Sequence, residues 1–315
     1  MLVNGVWEDN WQPVQKQDKQ GRFIRQTSSF RHWVTADGSA GITGDAGFKA
    51  EAGRYHLYVA YICPWACRTL MVRALKGLQD IISVSVVNPK LTDQGWQFGG
   101  FNGSDDDALN NATYMHEIYT QITPNFTGRA TVPVLWDKKN NTIVNNESAD
   151  IVRMLNTAFV DLVGEGIDLY PNALASEIDA LNEAIYTNLN NGVYQAGFAS
   201  SQEAYEEAYT HVFSMLDSLE STLGDGRSYL FGESLTETDV RLFVTLIRFD
   251  VAYHGLFKTN RNTIKDMPNL YAYMKRILAI EGVADTVNIE HIKAGYYSIK
   301  ALNPPGIVPL GPETF

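Results

Sequence analysis

The sequence predicts two domains: an α/β domain that opens on a parallel strand–helix–strand unit, and an all-helical domain behind it. Three observations carry this. The chain has 315 residues, too long for one ordinary domain and suited to two. Between residues 55 and 87 a β-prone run (YHLYVA), a helical run (WACRTLMVRALKGL) and a second β-prone run (IISVSVV) follow one another. That order indicates a βαβ unit. Beyond about residue 170 the apolar residues recur with the helical period.

Composition narrows the function. Hydrophobic residues make up 45% and charged residues 19%, the balance of a globular protein with an ample core. The net charge is −11, and no Lys/Arg stripe supplies the basic footprint of a nucleic-acid binder. No apolar run reaches the roughly 18 residues of a membrane span. The start, MLVNGVWEDNWQPVQ, lacks a basic segment followed by an apolar one, so no secretory signal is expected. Two cysteines make no disulfide framework. The expected address is cytoplasmic, with no membrane and no nucleic-acid partner.

The elements read in order as follows. Residues 1–50 are polar and Gly-rich, with turn chemistry in TADGSAGITGDAG. They read as an irregular arm anchored by Trp7, Trp11, Phe23, Phe30 and Trp33. After the βαβ unit comes a long loop, 88–109, of the kind that is often functional. A helix over 114–122, a strand over 132–137 (VPVLWD), a KKNN turn, a short partner strand over 142–144 and a helix from 148 complete the first domain. The order βαβ–α–ββ–α is that of a thioredoxin-like fold. Helices are expected over 176–190, 203–223, 238–251 and 269–278. Pro171, Gly224-Asp225-Gly226 and Pro268 punctuate them. The expected division is an arm at 1–50, a thioredoxin-like domain at 51–160 and a helical domain with its tail at 170–315.

Cys63 stands between a strand and a helix and is followed by Pro64, a residue preferred in the first helical turn. Its sulfur then faces the amides and positive end of the helix, which favour thiolate over thiol. This placement favours a reactive cysteine over a buried inert one. Cys67 is four residues on, where a redox pair would need three. Helical i,i+4 side chains lie roughly 5–6 Å apart at Cβ, against about 3.8 Å for a disulfide. Cys63 is therefore expected to act alone and Cys67 to pack. Pro133 enters a strand, where proline belongs at a start or edge; a cis and an ordinary trans proline are both open. At the strand-to-helix junction Glu147-Ser148, Ser148 reads as an ordinary N-cap and Glu147 as an acidic residue beside the helix N-terminus, or the pair holds a ligand's amino and carboxylate groups. Thr236 and Asp239 form a capping box with Asp in place of Glu. The six histidines show no metal-ligand spacing, so no metal is expected.

The stretch GFKAEAGRYHLYVAYICPWACRTL resembles the signature of the xi-class glutathione transferases, the glutathionyl-hydroquinone reductases. The resemblance extends in order through SSFRHW, DQGWQF, RATVPVLWD, NNESADI, NGVYQAGFA and NPPGIVPLGP. It implies the glutathione transferase fold, a thioredoxin-like N-terminal domain plus an all-α C-terminal domain. It implies Cys63 as nucleophile. Trp96, Arg129, Val132, Glu147 and Ser148 would bind glutathione, and Tyr194, Tyr253 and Tyr296 would line the hydroquinone pocket. It further implies glutathione as co-substrate with no permanent cofactor, aromatic glutathione conjugates as substrates, and a homodimer. Two places depart from the family pattern. CPWACR carries Cys67 where histidine is usual, and the tail GYYSIKALNP lacks the two usual histidines. The second departure leads to the expectation that Tyr194 and Tyr253 matter more than Tyr296. Other readings of the same fold are a general thioltransferase or dehydroascorbate reductase. A non-catalytic binding scaffold is opposed by the intact cysteine and glutathione residues.

Overall fold

The computed structural model describes residues 1–8 and 17–313. Trp11, one of the expected anchors, lies outside the described residues. The chain forms two compact units, Met1–Pro13 with Thr27–Ile167, and Val14–Gln26 with Asp168–Phe315. The segment read as one arm is thus divided between them.

In the first unit a four-stranded sheet runs in the order β6-β5-β7-β8. Its strands are β5 (Tyr55–Val59), β6 (Ile82–Val86), β7 (Val134–Asp137) and β8 (Thr142–Asn145). β5 pairs with β6 in parallel and with β7 antiparallel; β7 and β8 form a hairpin with a register shift at Leu135/Trp136. All five residues of β5 are buried, as befits a central strand covered on both faces. Helix α1 (Pro64–Leu75) makes the crossover and packs on α3 (Ser148–Thr157). α2 (Met115–Ile122) follows the long loop, and α4 (Val160–Val163) closes the unit.

The N-terminal segment is more regular than its composition suggests. β1 (Leu2–Val3) and β2 (Val6–Trp7) form a hairpin, and β3 (Trp33–Thr35) pairs in parallel with β4 (Gly47–Lys49). The strands are two or three residues long and carry no sustained alternation, so periodicity does not reveal them. The aromatics do anchor the segment. Trp7 stacks on His116 and donates to the Asp93 carbonyl; Phe30 packs on Tyr119 and Phe126; Trp33 is buried. Phe23 belongs to the second unit and stacks on Phe198.

The second unit contains α5 (Ala175–Ile185), α6 (Gly192–Gly197), α7 (Gln202–Leu223), α8 (Glu237–Arg248), α9 (His254–Leu256), α10 (Pro268–Leu278) and α11 (Ile289–Tyr296). Five-residue π-helical segments, Tyr186–Asn190 and Phe249–Tyr253, follow α5 and α8. α8 is buried along its whole length. Its start is fixed by Asp239, whose carboxylate accepts from the backbone N–H and hydroxyl of Thr236, the Leu230 N–H and the Tyr273 hydroxyl. The structural reading of this pair therefore holds. No helix among the described residues is long and apolar enough to cross a membrane.

Candidate active site

Cys63 is the N-cap of α1 and is partly exposed, in extended backbone (φ −76°, ψ 114°), with Pro64 opening the helix. No side chain caps this helix start and its first turn holds no acidic residue. The positive end of the helix thus meets no competing anion of its own. The Cys63 thiol points at the carbonyl oxygen of Val132, 3.6 Å away. The Val132-Pro133 peptide bond is cis, which decides between the two readings of Pro133. Pairing between β5 and β7 stops at Tyr58 and Val134. Val132 therefore lies beyond the ladder, and its N–H has no hydrogen-bond partner among the described residues. The expected strand over 132–137 starts two residues later for the same reason.

Cys67 is buried, and its sulfur donates to the Tyr61 carbonyl at 3.3 Å, not toward Cys63. Both cysteines are free thiols. This geometry suits a single reactive thiol.

Glu147 is the N-cap of α3. One carboxylate oxygen accepts from Ala149 N–H at 3.1 Å and the other from the Ser28 hydroxyl at 2.8 Å. Ser148 follows as the first, buried residue of the helix. The cap expected at Ser148 thus falls one residue earlier, on Glu147, whose carboxylate reaches the Ala149 N–H, and Glu147 stays partly exposed. Around this junction Asn145 accepts from Glu147 N–H at 2.7 Å, while Arg31 forms a two-pronged pair with Asp150. The residues 28–32 run beside β8: His32 N–H donates to Val144 O and Asn146 N–H to Phe30 O.

Tyr119 links this junction to the cis-proline loop. Its buried hydroxyl donates to Thr131 O at 3.0 Å and accepts from Thr131 N–H at 3.2 Å and Asn146 Nδ2 at 3.0 Å. Burial pushes this phenol above its ordinary range. Ser28 and Tyr119 were missed by sequence reasoning. A serine in a polar arm and a tyrosine in an amphipathic helix give no local signal of such partners.

The loop 88–109 is held by its backbone. Asn88 N–H donates to Gln97 O, Phe98 N–H to Thr113 O, and Met115 N–H to Trp96 O, which leaves the Trp96 side chain partly exposed. Arg129 is partly exposed and follows Gly128, whose N–H and C=O pair with Leu2 of the N-terminal hairpin.

The three tyrosines meet in the second unit. Tyr194 and Tyr296 hydroxyls are 2.6 Å apart, and Tyr253 and Tyr296 hydroxyls 2.8 Å apart. Tyr296 is therefore the shared member. Its hydroxyl has two phenolic partners. Burial pushes Tyr253 and Tyr296 well above their ordinary range, with the buried Arg248 acting weakly the other way, so both stay protonated. Tyr194 alone of the three is partly exposed. Phe257 packs against all three rings and approaches so closely that a Cβ at Gly197 would sit 2.5 Å from it.

The chain is similar along its whole length to known proteins. The family models for the glutathione S-transferase N-terminal and C-terminal domains match residues 62–158 and 202–276. The glutathionyl-hydroquinone reductase YqjG of Escherichia coli is 51% identical over 99% of this chain and 94% of its own. The glutathionyl-hydroquinone reductase PcpF of Sphingobium chlorophenolicum is 48% identical over 99% of this chain and 96% of its own. The chain belongs to the xi-class glutathione transferases, the glutathionyl-hydroquinone reductases. The glutathione-bound structure of YqjG superposes with a TM-score of 0.91 at 48% identity, covering 100% of this chain and 96% of that one. The xi-class transferase of Phanerochaete chrysosporium does so with a TM-score of 0.90 at 47% identity, covering 95% and 98%. The fold is that of a glutathione transferase, and this xi-class chain is an enzyme.

Proposed function

We propose that this xi-class enzyme removes glutathione reductively from glutathionyl-hydroquinones, with Cys63 as the nucleophile. The observation that carries this is the Cys63 sulfur 3.6 Å from the Val132 carbonyl, beside a Val132 N–H with no hydrogen-bond partner among the described residues. A peptide-like ligand that pairs with the extended backbone of Val132 satisfies both groups, as an added strand does. The cysteinyl residue of glutathione is such a ligand, and pairing there brings its sulfur beside Cys63. It also takes over the carbonyl to which the Cys63 thiol points.

The Cys63 thiolate attacks the glutathione sulfur. The sulfur–aryl bond breaks, its electron pair passes to the ring carbon, and that carbon takes a proton. A Cys63–glutathione disulfide forms. A second glutathione thiolate then attacks it, giving glutathione disulfide and restoring the Cys63 thiolate. In sum, glutathionyl-hydroquinone and glutathione become hydroquinone and glutathione disulfide, with one protein thiol and no permanent cofactor.

Trp96, Arg129, Glu147 and Ser148 are assigned to glutathione. An arginine and a helix N-terminus suit its carboxylates, and the partly exposed Glu147 carboxylate suits its amino group. Tyr194, Tyr253 and Tyr296 are assigned to the phenolic substrate, since tyrosine offers an apolar face and one hydroxyl. Consumption of reduced glutathione suits a reducing compartment such as the cytoplasm. The homodimer implied by the resemblance belongs to the same proposal, and light scattering reads it. The decisive test incubates the protein with glutathionyl-menadiol and glutathione and follows free menadiol by chromatography. Release by the wild type and none by Cys63→Ala is the expected result. A protein that is retained on immobilised glutathione yet releases no menadiol would not be this reductase.

A further inference from the structure

The segment 17–26 packs on the helical unit and brings one cation to the tyrosine chain. The Arg25 guanidinium carbon lies 4.8 Å from the centre of the Tyr194 ring and 5.2 Å from that of Phe23. Its Nε donates to Asn191 Oδ1 at 2.9 Å. Asn191 stands immediately before α6, and its carbonyl accepts from the Tyr194 N–H at 3.0 Å. The same turn therefore fixes both the guanidinium and the ring beneath it. The fork cannot swing away without losing the Asn191 bond and the aromatic faces together. The Gln17 amide, donating to Phe198 O at 2.8 Å, and the Ser200 N–H, donating to Gly21 O at 3.1 Å, hold the rest of the segment in place.

We infer that Arg25 sets the hydrogen-bond and proton-donating strength of Tyr194 and so selects for aromatic conjugates over disulfides. This rests on the assignment of Tyr194 to the phenolic substrate. The physical reason is electrostatic. A cation on the face of a phenol draws electron density from the ring and favours negative charge on its oxygen. The O–H becomes a stronger donor. Tyr194 is the partly exposed end of the hydroxyl chain, while Tyr253 and Tyr296 are buried. A chain running from Tyr253 through Tyr296 to Tyr194 leaves the Tyr194 proton as the one offered outward, next to Arg25. A substrate whose leaving carbon must gain a proton needs this donor. A glutathione mixed disulfide leaves as thiolate and does not.

The test compares turnover of glutathionyl-menadiol with turnover of a small glutathione mixed disulfide. The variants are Arg25→Met, Arg25→Lys and, in parallel, Tyr194→Phe. Arg25→Met should slow the aromatic substrate about tenfold, in keeping with a desolvated cation–ring contact, and leave the disulfide within about twofold. Arg25→Lys, which keeps a charge but not the planar fork, should recover part of the loss. Equal slowing of both substrates by Arg25→Met without recovery by Arg25→Lys would make Arg25 a packing residue and overturn the inference. An unchanged aromatic rate in Arg25→Met together with a slow Tyr194→Phe would overturn it while leaving the tyrosine assignment standing. An unchanged aromatic rate in Tyr194→Phe would remove the assignment itself, and the inference with it.

Discussion

The two units build their parts of the chemistry from different materials. In the first, the features assigned to glutathione combine side chains (Trp96, Arg129, Glu147) with backbone and helix ends: the start of α1, the Val132 amide, which has no partner among the described residues, and the start of α3. In the second, the features assigned to the aromatic substrate are side-chain hydroxyls brought together from residues 102 and 43 positions apart. A backbone site is set by local geometry and tolerates change around it. Cys67, one turn into α1, is buried with its sulfur on the Tyr61 carbonyl. A side-chain cluster depends on every member, since one hydroxyl lost breaks the chain.

The sharpest way to break this comparison is at the thiol. Cys63→Ala should abolish turnover of both aromatic and disulfide substrates, while Cys67→Ala keeps most of it. Mass spectrometry of the protein with glutathione disulfide should show a single added glutathione, on Cys63. Comparable loss in the two mutants would end the single-thiol mechanism.

Next in size are the tyrosines. Replacing Tyr194 or Tyr296 by Phe should lower turnover of glutathionyl-hydroquinones about 10²-fold, the low end for a general acid, and hardly change that of a small mixed disulfide. Tyr296→Phe should cost as much as Tyr194→Phe, since its hydroxyl joins the other two. If the two substrates slow in parallel with a falling melting temperature, the tyrosines merely pack.

Arg129→Ala and Glu147→Ala should raise KM more than they lower kcat, for aromatic and disulfide substrates alike. A lost charge-assisted hydrogen bond weakens binding roughly 10- to 150-fold. KM values left at the wild-type level would move the glutathione site elsewhere. Tyr119→Phe keeps the ring but strands the Thr131 and Asn146 donors. It should cost about 1–3 kcal/mol of stability and raise KM with little effect on kcat, as read by denaturant melts and steady-state kinetics.

A further effect, on stability alone, concerns pH. His56 on β5 is buried; Nδ1 lies 2.8 Å from Ser83 Oγ, while Nε2 has no partner among the described residues. Burial lowers its pKa from 6.5 to about 4. Below pH 6.5 the unfolded chain takes up the proton and the folded one does not, so stability falls as pH drops toward 4, by on the order of 3 kcal/mol in all. His56→Gln should flatten that part of the stability–pH curve measured by urea titration. A slope unchanged by the substitution would assign it to other groups.

The sequence by itself determined the order of strands and helices from β5 to α3, the position of Cys63 at a helix start and the helix that opens at Glu147-Ser148. Each depends on a neighbour within a few residues, such as Pro64 beside Cys63 or the helix that follows Glu147. Hydrophobic period and capping chemistry are local quantities, and they are written in local sequence. Only the tertiary structure decided the rest. It chose the cis form at Val132-Pro133, turned the Cys67 sulfur to Tyr61, put the Ser28 hydroxyl on Glu147 and Arg25 on Tyr194, and made Tyr296 the centre of its cluster. Hydrogen bonds and ring contacts of this kind join residues far apart in the chain. Their partners are fixed by how the elements pack, and no spacing along the sequence encodes that.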